Sequence, residues 1–253
     1  MKYIVSLSGG VSSAVAADRA IQKYGRANVT LWIADTSAED ADLWRFVDDC
    51  MRRWGGEILK YCDGREPLEV FEDNHIVPNN RVAPCTHELK IEPFVKYLKA
   101  HPKPVTVLLG LSWDEQHRMQ APRNRYEAIE GTSVDYPLMW KPYCWDTFAE
   151  VRSWGIETPE LYKLGFNHNN CGGACIKQGK GDWLRLMRVN YPLFSKYRDW
   201  ETKQRVKVGD YAFLREMRDG ERYPLPLSEL EKQVTPEEGA IVQEDLFGCF
   251  CAY

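Results

Sequence analysis

The 253-residue sequence lacks any apolar run of about 18 residues, the length a membrane-spanning helix needs. Its opening residues, Lys2-Tyr3-Ile4-Val5-Ser6-Leu7-Ser8, pass directly into glycine, with neither a long apolar core nor a small-residue cleavage site. A cytoplasmic protein with no membrane partner is the expectation. No repeat and no low-complexity tract is present, and the five histidines (His75, His87, His101, His117, His168) show no metal-ligand spacing among themselves. The net charge is only −4, which gives no general attraction to polyanions. With 44% hydrophobic and 28% charged residues, the composition is that of an ordinary globular chain.

Cysteine is not scarce. Eight cysteines in a medium-sized chain without an export signal point to reduced thiols or metal ligands rather than to a disulfide framework. Cys171-Gly-Gly-Ala-Cys175 and Cys249-Phe-Cys251 form two close pairs whose spacing is not that of a zinc ribbon. Four thiolates of this kind can hold an iron-sulfur cluster or a structural zinc, and the alternative is buried or incidental thiols. Cys50, on an apolar helical stripe, reads as structural, as do Cys62 and Cys144.

Hydrophobic periodicity predicts alternating strands and helices. Lys2 to Leu7 is a strand, Val11 to Tyr24 an Ala-rich helix, Val29 to Ala34 a strand, and Asp40 to Trp54 a helix with its apolar residues on one face. Glu57 to Tyr61 and Val105 to Leu111 are further strands, and Glu88 to Ala100 a helix. This order implies an α/β fold with a parallel sheet covered on both faces. A core at 1–140 and an extension at 141–253 are expected, the latter with short helices at Asp182 to Val189 and Tyr211 to Arg218.

Between the first strand and helix lies Ser8-Gly9-Gly10-Val11-Ser12-Ser13. A glycine turn there brings free N–H groups and the positive end of a helix dipole to one point, which suits a phosphate. It is neither a Walker loop nor a G-x-G-x-x-G turn, and a tight turn that binds nothing is the alternative. Asp35-Thr36 closes the second strand beside it. Asp114, Glu115 and Arg118 follow a buried strand, where they could position a metal ion or a ribose, or form a solvated helix start. Residues 176–207 carry nine Lys/Arg against three Asp/Glu, interleaved with Trp183, Tyr191, Phe194, Tyr197 and Trp200. A nucleic-acid surface at 177–207 and a core with a wet charged face are both open readings.

Ser8-Gly-Gly-Val-Ser-Ser13 resembles the PP-loop of N-type ATP pyrophosphatases, and later segments resemble the phosphoadenosine phosphosulfate reductase family of that superfamily. These are Ile33-Ala-Asp-Thr36, Cys85-Thr-His-Glu-Leu-Lys-Ile-Glu-Pro93, Gly110-Leu-Ser-Trp-Asp-Glu-Gln-His-Arg118, and the run from Pro137-Leu-Met-Trp140 through Thr158-Pro-Glu-Leu-Tyr-Lys-Leu-Gly-Phe166 to Cys171. Together they span roughly residues 3–180. The resemblance implies an adenine nucleotide alpha hydrolase-like core that binds ATP or an adenylyl sulfonucleotide through Ser8, Gly9, Gly10, Ser12, Ser13, Asp35, Thr36 and Gly110, with Mg2+ as a further candidate cofactor. It puts Cys85 at the position of an iron-sulfur ligand. A [4Fe-4S] cluster on Cys85, Cys171, Cys175 and Cys249 is then expected, with Cys251 as the other candidate fourth ligand. Asp35 and Cys251 are the expected catalytic residues.

The sequence departs from the pattern in places. Ser12 stands where many PP-loop enzymes have Asp, Ser112 where an Arg is expected, and Pro84 in place of the first Cys of a tandem pair. The Glu-Cys-Gly-Leu-His segment that carries the reductase nucleophile is not found. Three functions remain in view: sulfonucleotide reduction, ATP-dependent sulfur transfer such as nucleic-acid thiolation, and nucleotide sensing without catalysis. The first two call for a sulfur or electron donor protein as partner.

Overall fold

The computed structural model describes residues 2–143 and 145–233. Five strands form one parallel sheet in the order β3-β2-β1-β4-β5: β1 (Lys2–Leu7), β2 (Val29–Asp35), β3 (Ile58–Cys62), β4 (Val105–Leu109) and β5 (Thr132–Asp135). The central strand β1 pairs on both sides, with Ile4 opposite Thr30 of β2 and Val107 of β4. The expected parallel α/β core is therefore present, and the short β5 adds an edge beyond the expected strands.

Alternation along the strands divides the core between the two faces of the sheet. Val5, Leu7, Leu31 and Ile33 pack under α1 (Val11–Tyr24) and α2 (Ala41–Trp54). Ile4, Trp32, Val105, Val107 and Leu109 pack on the opposite face with Phe94 and Leu98 of α5 (Glu92–Ala100) and Tyr126 of α6 (Gln120–Glu127). Helix α2 starts where Asp40 accepts a hydrogen bond from the Leu43 amide at 2.8 Å, a cap that stabilises by about 1 kcal/mol. Cys50 lies on its buried stripe, and burial pushes its thiol up to about 12, which makes it an inert core residue as expected. The helical run around residue 90 begins at α4 (Pro84–Thr86) and crosses a π turn (His87–Ile91) before α5.

A second core forms beside the sheet. It draws on both sides of residue 140: Leu68, Val70 and Phe71 of α3 (Pro67–Asp73) and Leu89 meet Leu161 of α8 (Glu160–Lys163), Trp183 and Leu186 of α9 (Lys180–Val189), and Phe194 and Tyr197 of α10 (Tyr191–Val208). Phe213, Leu214, Leu225 and Leu227 complete it. The basic-aromatic stretch thus spans α9 and the 18-residue α10, and most of its large rings are core: Trp183 of α9 and Phe194 of α10 are fully buried and Tyr197 nearly so, while Tyr191 at the start of α10 is exposed. Buried rings cannot serve as a stacking platform for bases. Several of the cations pair locally, Arg185 with Asp182, Lys196 with Glu66, Arg198 with Glu231, and Arg205 with Asp210.

The expected helix at Tyr211–Arg218 is a strand instead. β6 (Leu214–Arg218) pairs antiparallel with β7 (Glu221–Leu225). Asp219 and Gly220 both take positive φ (50° and 82°), the geometry of a two-residue hairpin turn that Asp-Gly favours. Glu201 of α10 fastens this hairpin. Its carboxylate accepts the amides of Phe213 (2.7 Å) and of Leu227 (2.6 Å), the first residue of α11 (Leu227–Lys232), in a fully buried position.

Burial raises Glu201 to about 7 despite the two amide donors. A carboxyl whose folded value lies above its unfolded one contributes stability at low pH, which is lost as pH rises from the ordinary glutamate range through about 7. Thermal melts are expected to show stability falling between about pH 5 and pH 8, and Glu201→Gln is expected to flatten that slope. An unchanged slope in the variant would contradict the assignment.

Candidate functional site

The strand order reverses between β1 and β4, so the loops leaving their carboxyl ends diverge and open a crevice. The loop after β1 is Ser8-Gly9-Gly10. Gly9 takes φ 77°, and a β-carbon there would meet the side chain of Leu43 at 2.6–2.8 Å. Gly10 caps α1 in an extended conformation with no side-chain hydrogen bond, and the first turn of α1 holds no acidic residue. The helix's positive end and its unbonded first-turn amides are therefore left for an anion.

Ser13 knits this loop from inside. Its hydroxyl donates to the Gly10 carbonyl at 2.9 Å and accepts from the Ser8 amide (3.1 Å) and the Ser8 hydroxyl (3.2 Å). Ser13 is buried, so it shapes the loop, while Ser8, Gly10 and Ser12 face the crevice. From the other side Gly110, just past β4, presses on the same turn. A β-carbon at Gly110 would lie 2.7 Å from Ser13 Cα, 2.8 Å from Ser13 N and 2.9 Å from Ser12 C, all backbone atoms.

The crevice encloses about 370 Å³, within the range of small-molecule sites. Ser8, Gly10, Ser12, Thr36 and Gly110 line it, and Cys85, Cys171 and Cys175 line it as well. Lys90, Arg118 and Lys177 contribute cations, and Trp113, Tyr143, Trp145 and Phe148 contribute aromatic wall. Lys90 lies 3.4 Å from Glu39 and Arg118 pairs with Glu115. Glu115 also meets Ser112 Oγ at 3.3 Å, so Asp114, Glu115 and Arg118 form a self-capped 3-10 turn on the crevice wall.

Asp35 lies beside the crevice rather than in its lining. Alternation along β2 turns Ala34 and Thr36 into the crevice and Asp35 away from it. Asp35 instead pairs with Lys60 at 2.7 Å and accepts the Ser37 amide at 2.9 Å. It is not among the lining residues, and neither are Gly9 and Ser13.

The cysteine-bearing segment turns sharply: Cys171, Gly172 and Gly173 all have positive φ (54°, 57° and 86°). The amide of Cys171 donates to Glu39, whose other oxygen accepts from Thr36 Oγ1 at 2.9 Å. Asn170 Nδ2 donates to Cys175 Sγ at 3.8 Å. Burial holds the Tyr197 phenol well above its ordinary value, and Cys171, Cys85 and Cys175 push it further the same way. Even so, among the described residues no group of three or more His, Cys, Asp or Glu side chains is placed to hold a metal ion. Cys249 and Cys251 lie outside the described residues.

Two crevice residues, Tyr162 and Asn169, and one beside the crevice, Glu39, carried no assignment from sequence. Glu39 joins the end of β2 to the Cys171 turn. Tyr162 of α8 brings its hydroxyl within 2.8 Å of where a Gly10 β-carbon would be. Asn169 donates to the Gly9 carbonyl at 2.9 Å. Tyr162 and Asn169 stand close to motif residues, and Glu39 had no signal beyond its place before a helix start.

No family model matches the sequence, and no curated protein matches it. Among solved structures, the chain is similar to phosphoadenylyl-sulfate (PAPS) reductase from Candida auris in complex with phosphate. Identity is 19% and the TM-score 0.46, over 67% of this chain and 81% of that one.

Gly110→Ala is expected to push the β1–α1 turn out of shape. The substitution should cost roughly 1–3 kcal/mol in denaturant unfolding and weaken binding of any phosphate ligand. A variant with unchanged stability and unchanged anion binding would show that the close approach does not set the loop.

Proposed function

We propose that this chain is a PP-loop enzyme of the phosphoadenosine phosphosulfate reductase type that binds ATP or an adenylyl sulfonucleotide and carries out sulfur transfer or reduction. The observation that carries this reading is the shared crevice: the uncapped N-terminus of α1 and three cysteine thiols line one cavity. Phosphates resting on Ser8, Gly10, Ser12 and the α1 amides would lie in the same space as Cys85, Cys171 and Cys175. Lys90, Arg118 and Lys177 supply positive charge for the remaining phosphate or sulfate oxygens.

The thiols are the part that does chemistry on sulfur. A [4Fe-4S] cluster held by Cys85, Cys171, Cys175 and Cys249 would supply electrons there, and the left-handed glycines of the Cys171 turn suit a backbone that wraps a cluster. The three described thiols are one ligand short and are not gathered for a metal on their own, so the reading requires the fourth cysteine and a closing of the other three. A Cys251 thiol left outside the cluster is the candidate nucleophile, and a sulfur or electron donor protein is the partner such chemistry calls for. A loop-bound nucleotide would bring Mg2+ with its phosphates.

Anaerobically purified protein is expected to bind one adenine nucleotide per chain in calorimetry with ATP or adenosine 5′-phosphosulfate. It is also expected to contain about four irons with matching sulfide, both lost in Cys171→Ala. Binding of neither nucleotide would overturn the nucleotide reading. Zinc, or no metal, with nucleotide binding intact would overturn the cluster alone.

A further inference from the structure

Asn169 is 3% exposed and lines the crevice. Its Nδ2 donates to the Gly9 carbonyl at 2.9 Å, and its Oδ1, equally buried, has no hydrogen-bond partner among the described residues. The orientation of the amide is fixed by chemistry. A carbonyl oxygen accepts only, so the amide nitrogen has to face Gly9 and the oxygen is the end left over. A buried acceptor without a donor is destabilising, a penalty that a ligand's donor group removes on binding.

We infer that Asn169 is a specificity residue for the nucleotide, accepting a hydrogen bond from a ribose hydroxyl; the inference rests on the reading that an adenine nucleotide occupies this crevice. Phosphate oxygens are acceptors at neutral pH, so Oδ1 repels them and cannot be part of the phosphate cradle. Yet Asn169 is tied by its other end to Gly9, inside the loop that receives the phosphates. The donors of an adenine nucleotide nearest its phosphates are the 2′- and 3′-hydroxyls. The 6-amino group lies at the far side of the base. Position beside the loop and acceptor-only chemistry together select the sugar. Because the same side chain also holds the Gly9 carbonyl, reading the sugar and shaping the phosphate loop become one contact.

The test compares ATP, 2′-deoxy-ATP and 3′-deoxy-ATP by calorimetry on the wild type and on Asn169→Ala. In the wild type, removal of the hydroxyl that Asn169 reads is expected to weaken binding about tenfold. Asn169→Ala loses the Gly9 contact too, so all three ligands should bind it less well, but the ratio between ATP and the weak analogue should fall to near one. Equal binding of all three nucleotides by the wild type would overturn the inference, and so would discrimination that survives in Asn169→Ala. The wild-type comparison decides without the variant should Asn169→Ala fail to fold. If the wild type binds no adenine nucleotide, the functional reading itself falls and this inference with it. That outcome is distinct from nucleotide binding without sugar discrimination.

Discussion

The contact between Gly110 and the backbone of Ser12 and Ser13 sets the geometry on which the site depends. It lets the end of β4 lie directly against the first turn of α1 where strand order reverses. Any side chain at Gly110 would have to displace a backbone, since the nearest atoms are main-chain rather than the tips of flexible side chains. Ser13 holds the same turn from below by bonding both Ser8 and Gly10. Between them these residues make a rigid turn whose remaining amides face outward, and preorganised amides of this kind bind an anion without first being rearranged.

Contacts from late in the sequence then bring the cysteine segment to that turn. Asn169 bonds the Gly9 carbonyl and Glu39 holds the Cys171 amide together with Thr36 at the end of β2. Further out, the buried Arg19 of α1 reaches Glu150 at 2.6 Å and the carbonyls of Pro137 and Leu138. A buried guanidinium with all these partners is costly to break, and it anchors Pro137, Leu138 and Glu150 against the helix whose N-terminus faces the crevice. The thiols and the Gly-rich loop are thus held in register by short polar links.

The sheet and its first two helices were legible in the sequence because their apolar residues recur at periods that only one element type satisfies. The Gly-rich turn was legible because glycine there answers a specific steric need. The C-terminal half was harder to read. Trp183, Phe194 and Tyr197 sit among cations in sequence, yet they pack inward on Phe213, and periodicity could not show that the second core recruits Phe71 and Leu89 from far earlier in the chain. The hairpin at Leu214–Leu225 was misread although Asp219-Gly220 is a turn signal, because the apolar spacing before it also fits a helix. For Asp35, position at a strand end was legible, but which face the side chain takes depends on the sheet's register, and the crevice face belongs to Ala34 and Thr36.

In the proposed function, nucleotide phosphates and the three thiols share one crevice. Alkylation of the cysteines by iodoacetamide, quantified by mass spectrometry with and without saturating ATP or adenosine 5′-phosphosulfate in metal-free protein, tests it most directly. Cys62 is exposed on the edge strand β3 and serves as the internal reference. Nucleotide is expected to slow labelling of Cys85 and Cys175 several-fold and to leave Cys62 unchanged. Labelling of Cys85 and Cys175 that is indifferent to bound nucleotide would contradict it.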